Sequence, residues 1–344
     1  MEATFTREQR DIEESVRSMA KEEKATARGA LAGGWSPPAC DAVLLADFGL
    51  LGVPASAGGM ESSLIDLLVA VEALGEHLVP SRFPAHAAAV QLVAGLGELP
   101  ADVLEGRTVL APAVDVPGAA GWPERGADDP LVRTLVPYAA EADGFAVLAA
   151  GGVRITSGEV TLRESFDPSV PLSDVALPAS ADTAADTAAA GAAGAAGAGR
   201  AALVAAAELC GVAAGAIGLA AEHARTRTQF GRVIGSFQGV AFQLADAVKY
   251  RKAAWDLTLY AAWAADRGRA EAESLVHAAK AAAGHAAVFA AERGIQVHGG
   301  MGITMEADPH LFLRRAHVLD ARLGRGSWHR RRVGELQVRQ RRGA

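Results

Sequence analysis

Cysteine is scarce in this sequence: the 344 residues hold two, Cys40 and Cys210. That excludes a disulfide framework or a cysteine-rich metal site, and no metal is expected. Lysine is nearly as rare, since only five of the 33 basic residues are lysine. With abundant alanine and glycine, this reads as a GC-rich genome and not as physics. Positive charge is not in excess. Asp and Glu number 40, for a net charge of −7, so the global basic field of a general nucleic-acid binder is missing and no nucleic-acid partner is expected. Met1 to Lys24 is charged throughout and lacks the apolar centre of an export signal. The longest apolar run, Leu203 to Ala221, approaches the length of a membrane span but is mostly Ala and Gly and carries Glu208. A buried bundle helix is the expectation, with no membrane span and a cytoplasmic location.

Half the residues are hydrophobic and 21% charged, a globular composition of two or three domains. Residues 1–107 read as an N-terminal helical domain. Thr6 caps its first helix with Gln9 as capping-box partner, and Leu67, Leu68, Val71 and Leu74 line one face of another. At residues 108–178 the pattern changes to short apolar runs broken by Pro and Gly, which predicts a small β-domain with little core of its own. Residues 179–199 are almost pure Ala, Gly, Asp and Thr, the composition of a linker or a frayed helix start. Residues 200–335 read as a four-helix bundle, and 336–344 as a basic tail. The fold class is mainly α, with a truncated β-domain between helical domains.

Two stretches carry chemistry. In Arg225-Thr-Arg-Thr-Gln-Phe-Gly-Arg232, three guanidiniums crowd one inter-helix loop, which suits a shared anion such as a phosphate. In Gln296-Val-His-Gly-Gly-Met-Gly-Ile303, three glycines in four residues let the backbone approach a ligand and offer N–H groups to a pyrophosphate.

Together these stretches resemble the acyl-CoA dehydrogenase family, most strongly over about Ala201 to Arg332. The resemblance implies FAD as cofactor. Arg227, Gln229 and Phe230 match positions that hold its pyrophosphate and adenosine part, and Gln238 matches a nearby family glutamine. Gln296, Gly299 and Gly300 match a loop reaching FAD bound mainly to a neighbouring subunit, which implies an oligomer. Arg314 and Arg315 match a basic pair read as structural. An acyl-CoA substrate and an electron-transfer acceptor also follow from the resemblance.

The family reaction needs a carboxylate to take the α-proton while the flavin accepts a β-hydride. Two family positions can hold that glutamate, and here they hold Leu323 and Ala201. Glu208 stands about two turns beyond Ala201, and the flavin-ring strand motifs are missing from the β-domain, where Trp122 is the one tryptophan. These departures resemble the shorter subunit of a heteromeric bacterial acyl-CoA dehydrogenase, in which a homologous partner supplies the base and several members act on bulky acyl groups such as steroids. Two alternatives stand beside it: a non-catalytic scaffold subunit, and a same-fold flavin enzyme that uses oxygen.

Overall fold

The computed structural model describes residues 4–23, 27–114, 132–149, 152–178 and 188–343. Trp122, the one tryptophan of the β-domain sequence, lies outside the described residues.

The N-terminal layer is helical: α1 (Arg7–Glu22), α2 (Ala27–Gly33), α3 (Asp41–Phe48), α4 (Leu64–Glu76), α5 (Phe83–Val93) and the short α6 (Ala101–Leu104). Local chemistry sets these boundaries. The Thr6 hydroxyl accepts from the Gln9 amide while the Gln9 side chain accepts from the Thr6 N–H, and Ser63 with Asp66 repeats the device at α4. Only Val16 and Ala20 of α1 are fully buried, as its thin apolar stripe requires.

The β-domain has two small sheets. Strands β1 (Leu110–Ala113), β3 (Gly144–Ala149) and β4 (Gly152–Thr156) form one, with β1 and β3 parallel. Strands β2 (Val132–Pro137), β6 (Leu172–Ala176) and β5 (Glu159–Arg163) form an antiparallel second sheet, which shares the small core of Val136, Phe145, Val147 and Val175 with the first. His86 of α5 fixes β1 in place: its Nδ1 accepts from the Leu110 N–H at 3.0 Å. Burial and then Arg82 hold this imidazole neutral, with its pKa lowered to about 4.

The C-terminal half comprises α7 (Ala188–Thr226), a hairpin of β7 (Thr228–Gln229) and β8 (Arg232–Val233), α8 (Gln238–Asp266), α9 (Ala272–His298), α10 (Pro309–Ala321) and α11 (Gly326–Gly343). Two sequence expectations are corrected here. The Ala/Gly stretch at 179–199, read as a linker or a frayed helix start, is helical from Ala188 and so no linker there, because alanine is the best helix former and small residues let α7 pack tightly. Its earlier part, 179–187, lies outside the described residues. The basic tail at 336–344 is not separate either: through Gly343 it forms the last turns of α11, a fifth helix beside the four expected.

Helix α7 is the spine of the protein and packs on α4, α5, α8, α9 and α10. Its length and hydropathy would let it cross a membrane, but 72% of its apolar window is buried inside the protein. Its Gly197, Gly211 and Gly215 lie against backbone. A Cβ on Gly211 would meet the carbonyl oxygen of Glu72 well inside contact distance, and one on Gly215 would meet that of Glu76. Since neither partner is a flexible side chain, Gly211→Val should force α4 and α7 apart and cost about 1–3 kcal/mol or more. A denaturation midpoint equal to that of the unmodified protein would contradict this packing.

Candidate functional site

The end of α7 runs directly into the β7–β8 hairpin. The Arg227 N–H donates to the His223 carbonyl at 2.9 Å, and the Ile234 N–H returns to the Arg227 carbonyl at 2.8 Å, so the hairpin is folded back on the helix end. Phe230 stands at its tip with a positive φ of 52° and 93% of its surface exposed. Gln229 and Arg227 are exposed beside it, and Gln238 opens α8. Arg232 stacks over Phe237 with its guanidinium carbon 4.0 Å from the ring centre. Among the described residues, Arg225, Arg227 and Arg232 have no acidic ion-pair partner.

The glycine-rich loop comes to the same end of the bundle. Gln296 lies in the last turn of α9, and Gly299 ends that helix at φ 62°. A Cβ at Gly299 or Gly300 would meet nothing within 4 Å, so the loop backbone is open to a ligand. His223 and His298, stacked with ring centres 4.2 Å apart, join the two motifs, and Ala220, Ala224 and Val297 form a small core beneath them. The two sequence motifs, Arg225–Arg232 and Gln296–Ile303, are therefore joined at one end of the bundle by a histidine stack that the sequence does not announce. Unpaired guanidiniums beside exposed glycine amides are a donor set that fits a diphosphate.

A second feature lies at the other end of α7. A cleft of about 890 Å³ opens between the first turns of α7, the α8–α9 turn and α11. Arg200, Ala202, Val276 and Leu323 line it, together with His277 and His329. Of the two positions matched to the family base, Leu323 lines the cleft, whereas Ala201 is fully buried between the lining residues Arg200 and Ala202. The carboxylates of the lining, Glu273 and Glu335, both pair with Arg332, at 3.2 and 2.6 Å. Leu323 has a positive φ of 54° and Gly324 one of 99°. Lys280, fully buried, holds this bend by donating to the carbonyls of Asp320 at 3.1 Å and Gly324 at 3.2 Å. Burial lowers its pKa to about 8, with the Asp320 carboxylate opposing.

Glu208 does not serve the cleft. It is buried with Arg315 at 3.5 Å and Arg322 at 3.9 Å. Arg315 reaches from α10 to Asp167 at 2.6 Å and to the Ser169 hydroxyl at 2.7 Å, in the loop before β6. Burial would depress its pKa, but Asp167, Tyr138 and Glu208 outweigh that and raise it.

The α7 rise of about 1.5 Å per residue sets Ala202 of the cleft and Thr226 at the hairpin about 36 Å apart.

A helical layer, a small two-sheet domain and a long-helix bundle define the class: a mainly α fold with a small β-domain between two helical parts. Comparison with known proteins narrows it. Residues 191–336 match the model of the acyl-CoA dehydrogenase C-terminal domain. The chain is 34% identical over 303 residues to the acyl-CoA dehydrogenase FadE34 of Mycobacterium tuberculosis, covering 83% of this chain and 40% of that one. It is 44% identical over 119 residues to the acyl-CoA dehydrogenase IpdE2 of the same organism, covering 34% of this chain and 35% of that one. Among solved structures, a chain of the ChsE4–ChsE5 complex from Mycobacterium tuberculosis superposes with a TM-score of 0.81 at 24% identity, over 98% of this chain and 99% of that one. Residues 191–336 thus match the C-terminal domain of the acyl-CoA dehydrogenase family, and the chain is similar to acyl-CoA dehydrogenases over most of its length. It spans less than half the length of the curated relatives it matches.

Proposed function

We propose that this chain is an FAD-binding subunit of an acyl-CoA dehydrogenase that desaturates the α,β bond of an acyl-CoA thioester, works with a homologous partner subunit and lacks the family's catalytic glutamate. The observation that carries the reading is the convergence of Arg227, Phe230, Gln296 and the open backbone of Gly299–Gly300 at one end of the bundle. Arg227 would hold the FAD diphosphate as a charge-assisted donor, Phe230 and Gln229 would contact the adenosine portion, and the glycine loop would add backbone donors. When bound, FAD supplies the hydride acceptor. This chain's own contribution at the cleft is enclosure: Leu323, Val276 and the α7 alanines offer apolar walls that exclude water.

Exposed apolar residues support a partner. Phe230, Phe242, Met301 and Ile303, the last 72% exposed, cluster on the elements that form the FAD end, and such surface favours association. The ChsE4–ChsE5 neighbour is itself a complex of two named chains. An electron-transfer acceptor would reoxidise the flavin.

Co-expression with a homologous chain followed by an absorbance spectrum tests the reading. The expected result is a complex that retains flavin and reduces an artificial acceptor when given an acyl-CoA, while the chain alone is apo or poorly soluble. A flavin-free complex with no acyl-CoA turnover would favour a scaffold instead.

A further inference from the structure

The cleft contains a hydrogen-bond relay whose direction can be worked out. His329 Nε2 lies 3.0 Å from the Leu323 carbonyl oxygen, which can only accept, so Nε2 carries the proton. His329 Nδ1 is then a lone pair in the neutral ring. It lies 2.8 Å from His277 Nδ1, so His277 Nδ1 must donate. That leaves Nε2 of His277 as a lone pair. Among the described residues it has no protein partner, it is not an enclosed orphan atom, and its ring lines the cleft. Trp328 packs edge-on against the His277 ring, with centres 5.3 Å apart, and fixes its plane.

We propose that His277 Nε2 is a fixed hydrogen-bond acceptor that selects cleft occupants carrying an N–H or O–H donor, and that His329 is the positioning residue that sets its tautomer. The identity of the occupant, a CoA thioester, rests on the function proposed above; the relay itself does not. Two parts of such a ligand carry that chemistry: the amides of the thioester arm and a hydroxyl on the acyl group.

Electrostatics favour the neutral form of both rings. Burial lowers the His277 pKa below its ordinary value; Glu273 and Glu335 oppose, and Arg332 adds to the lowering. Burial, with Lys280 and His277 adding, lowers His329 to about 3. Rings this weakly basic suit reading a donor better than removing a carbon-bound proton, which favours a base whose pKa lies near the working pH. A site built to accept from a ligand donor discriminates against analogues that lack it, because the acceptor is then left unpaired.

The test uses the full chain in its flavin-loaded complex, titrated with butyryl-CoA and with 3-hydroxybutyryl-CoA. His277→Phe should weaken binding about tenfold, and His277→Gln, which restores an acceptor, should recover most of it. Equal weakening of both thioesters assigns the donor to the arm amides. Weakening of the hydroxy compound alone assigns it to the acyl hydroxyl. Unchanged affinities in His277→Phe, with the unmodified protein binding normally, overturn the inference and leave the proposed function standing. Failure of the unmodified protein to bind either thioester overturns the proposed function and this assignment together. Nitrogen-15 spectra of the histidines give a reading that needs neither ligand nor variant: His277 protonated at Nδ1 supports the relay, and His277 protonated at Nε2 overturns it.

Discussion

Arg315→Met should destabilise the protein by about 3–5 kcal/mol, the range for breaking a buried ion network by removing one partner. The substitution keeps most of the side-chain volume but deletes the charge that faces Asp167 and Glu208, both almost fully buried. It also frees the Ser169 hydroxyl and the Leu78 carbonyl, which Arg315 joins across the N-terminal layer, the β-domain and the bundle. The loss should appear in the denaturation midpoint. Adding Asp167→Asn should recover part of it, because one of the stranded carboxylates is then neutral, and the two effects should not add. Full additivity would show that Arg315 and Asp167 are not coupled.

Arg227→Ala is expected to lower FAD affinity in the purified complex by about tenfold or more, the effect of losing a charge-assisted hydrogen bond. Gln296→Ala should act in the same direction but less, since a neutral amide is the weaker donor. Neither side chain is part of a buried core, so thermal stability without FAD should hardly change. The ratio of flavin to protein after desalting separates the outcomes. Full retention by Arg227→Ala would remove this arginine from the diphosphate site.

Much of this was legible in the sequence because the signals were local. The Thr6–Gln9 capping box, the strand runs between Thr108 and Leu177, and the Arg225–Arg232 and Gln296–Ile303 motifs depend on neighbours a few residues away. Composition left residues 188–199 open between a linker and a helix start, and for a physical reason: Ala and Gly are the composition of a flexible connector and equally of a helix packed at close range. The surroundings decide, and here Gly197 sits against the backbone of Leu92 on α5. The His277–His329 relay could not be read at all. Its members lie 52 residues apart on different helices and belong to no motif. The same holds for Glu208, whose place beside Arg315 and Arg322 rather than in the cleft depends on how α7 and α10 pack.

The length of α7 has a consequence for how this protein is handled in solution. The hairpin that would hold the dinucleotide and the cleft of the same chain lie at opposite ends of one long helix, farther apart than one cofactor molecule extends. On the proposed reading, a flavin held by this hairpin works over the cleft of another chain, so cofactor capture is a meeting of three bodies rather than two. Mass action then links occupancy to subunit concentration. Diluting the protein at constant free FAD should bleach it, and adding subunits should recolour it without further cofactor.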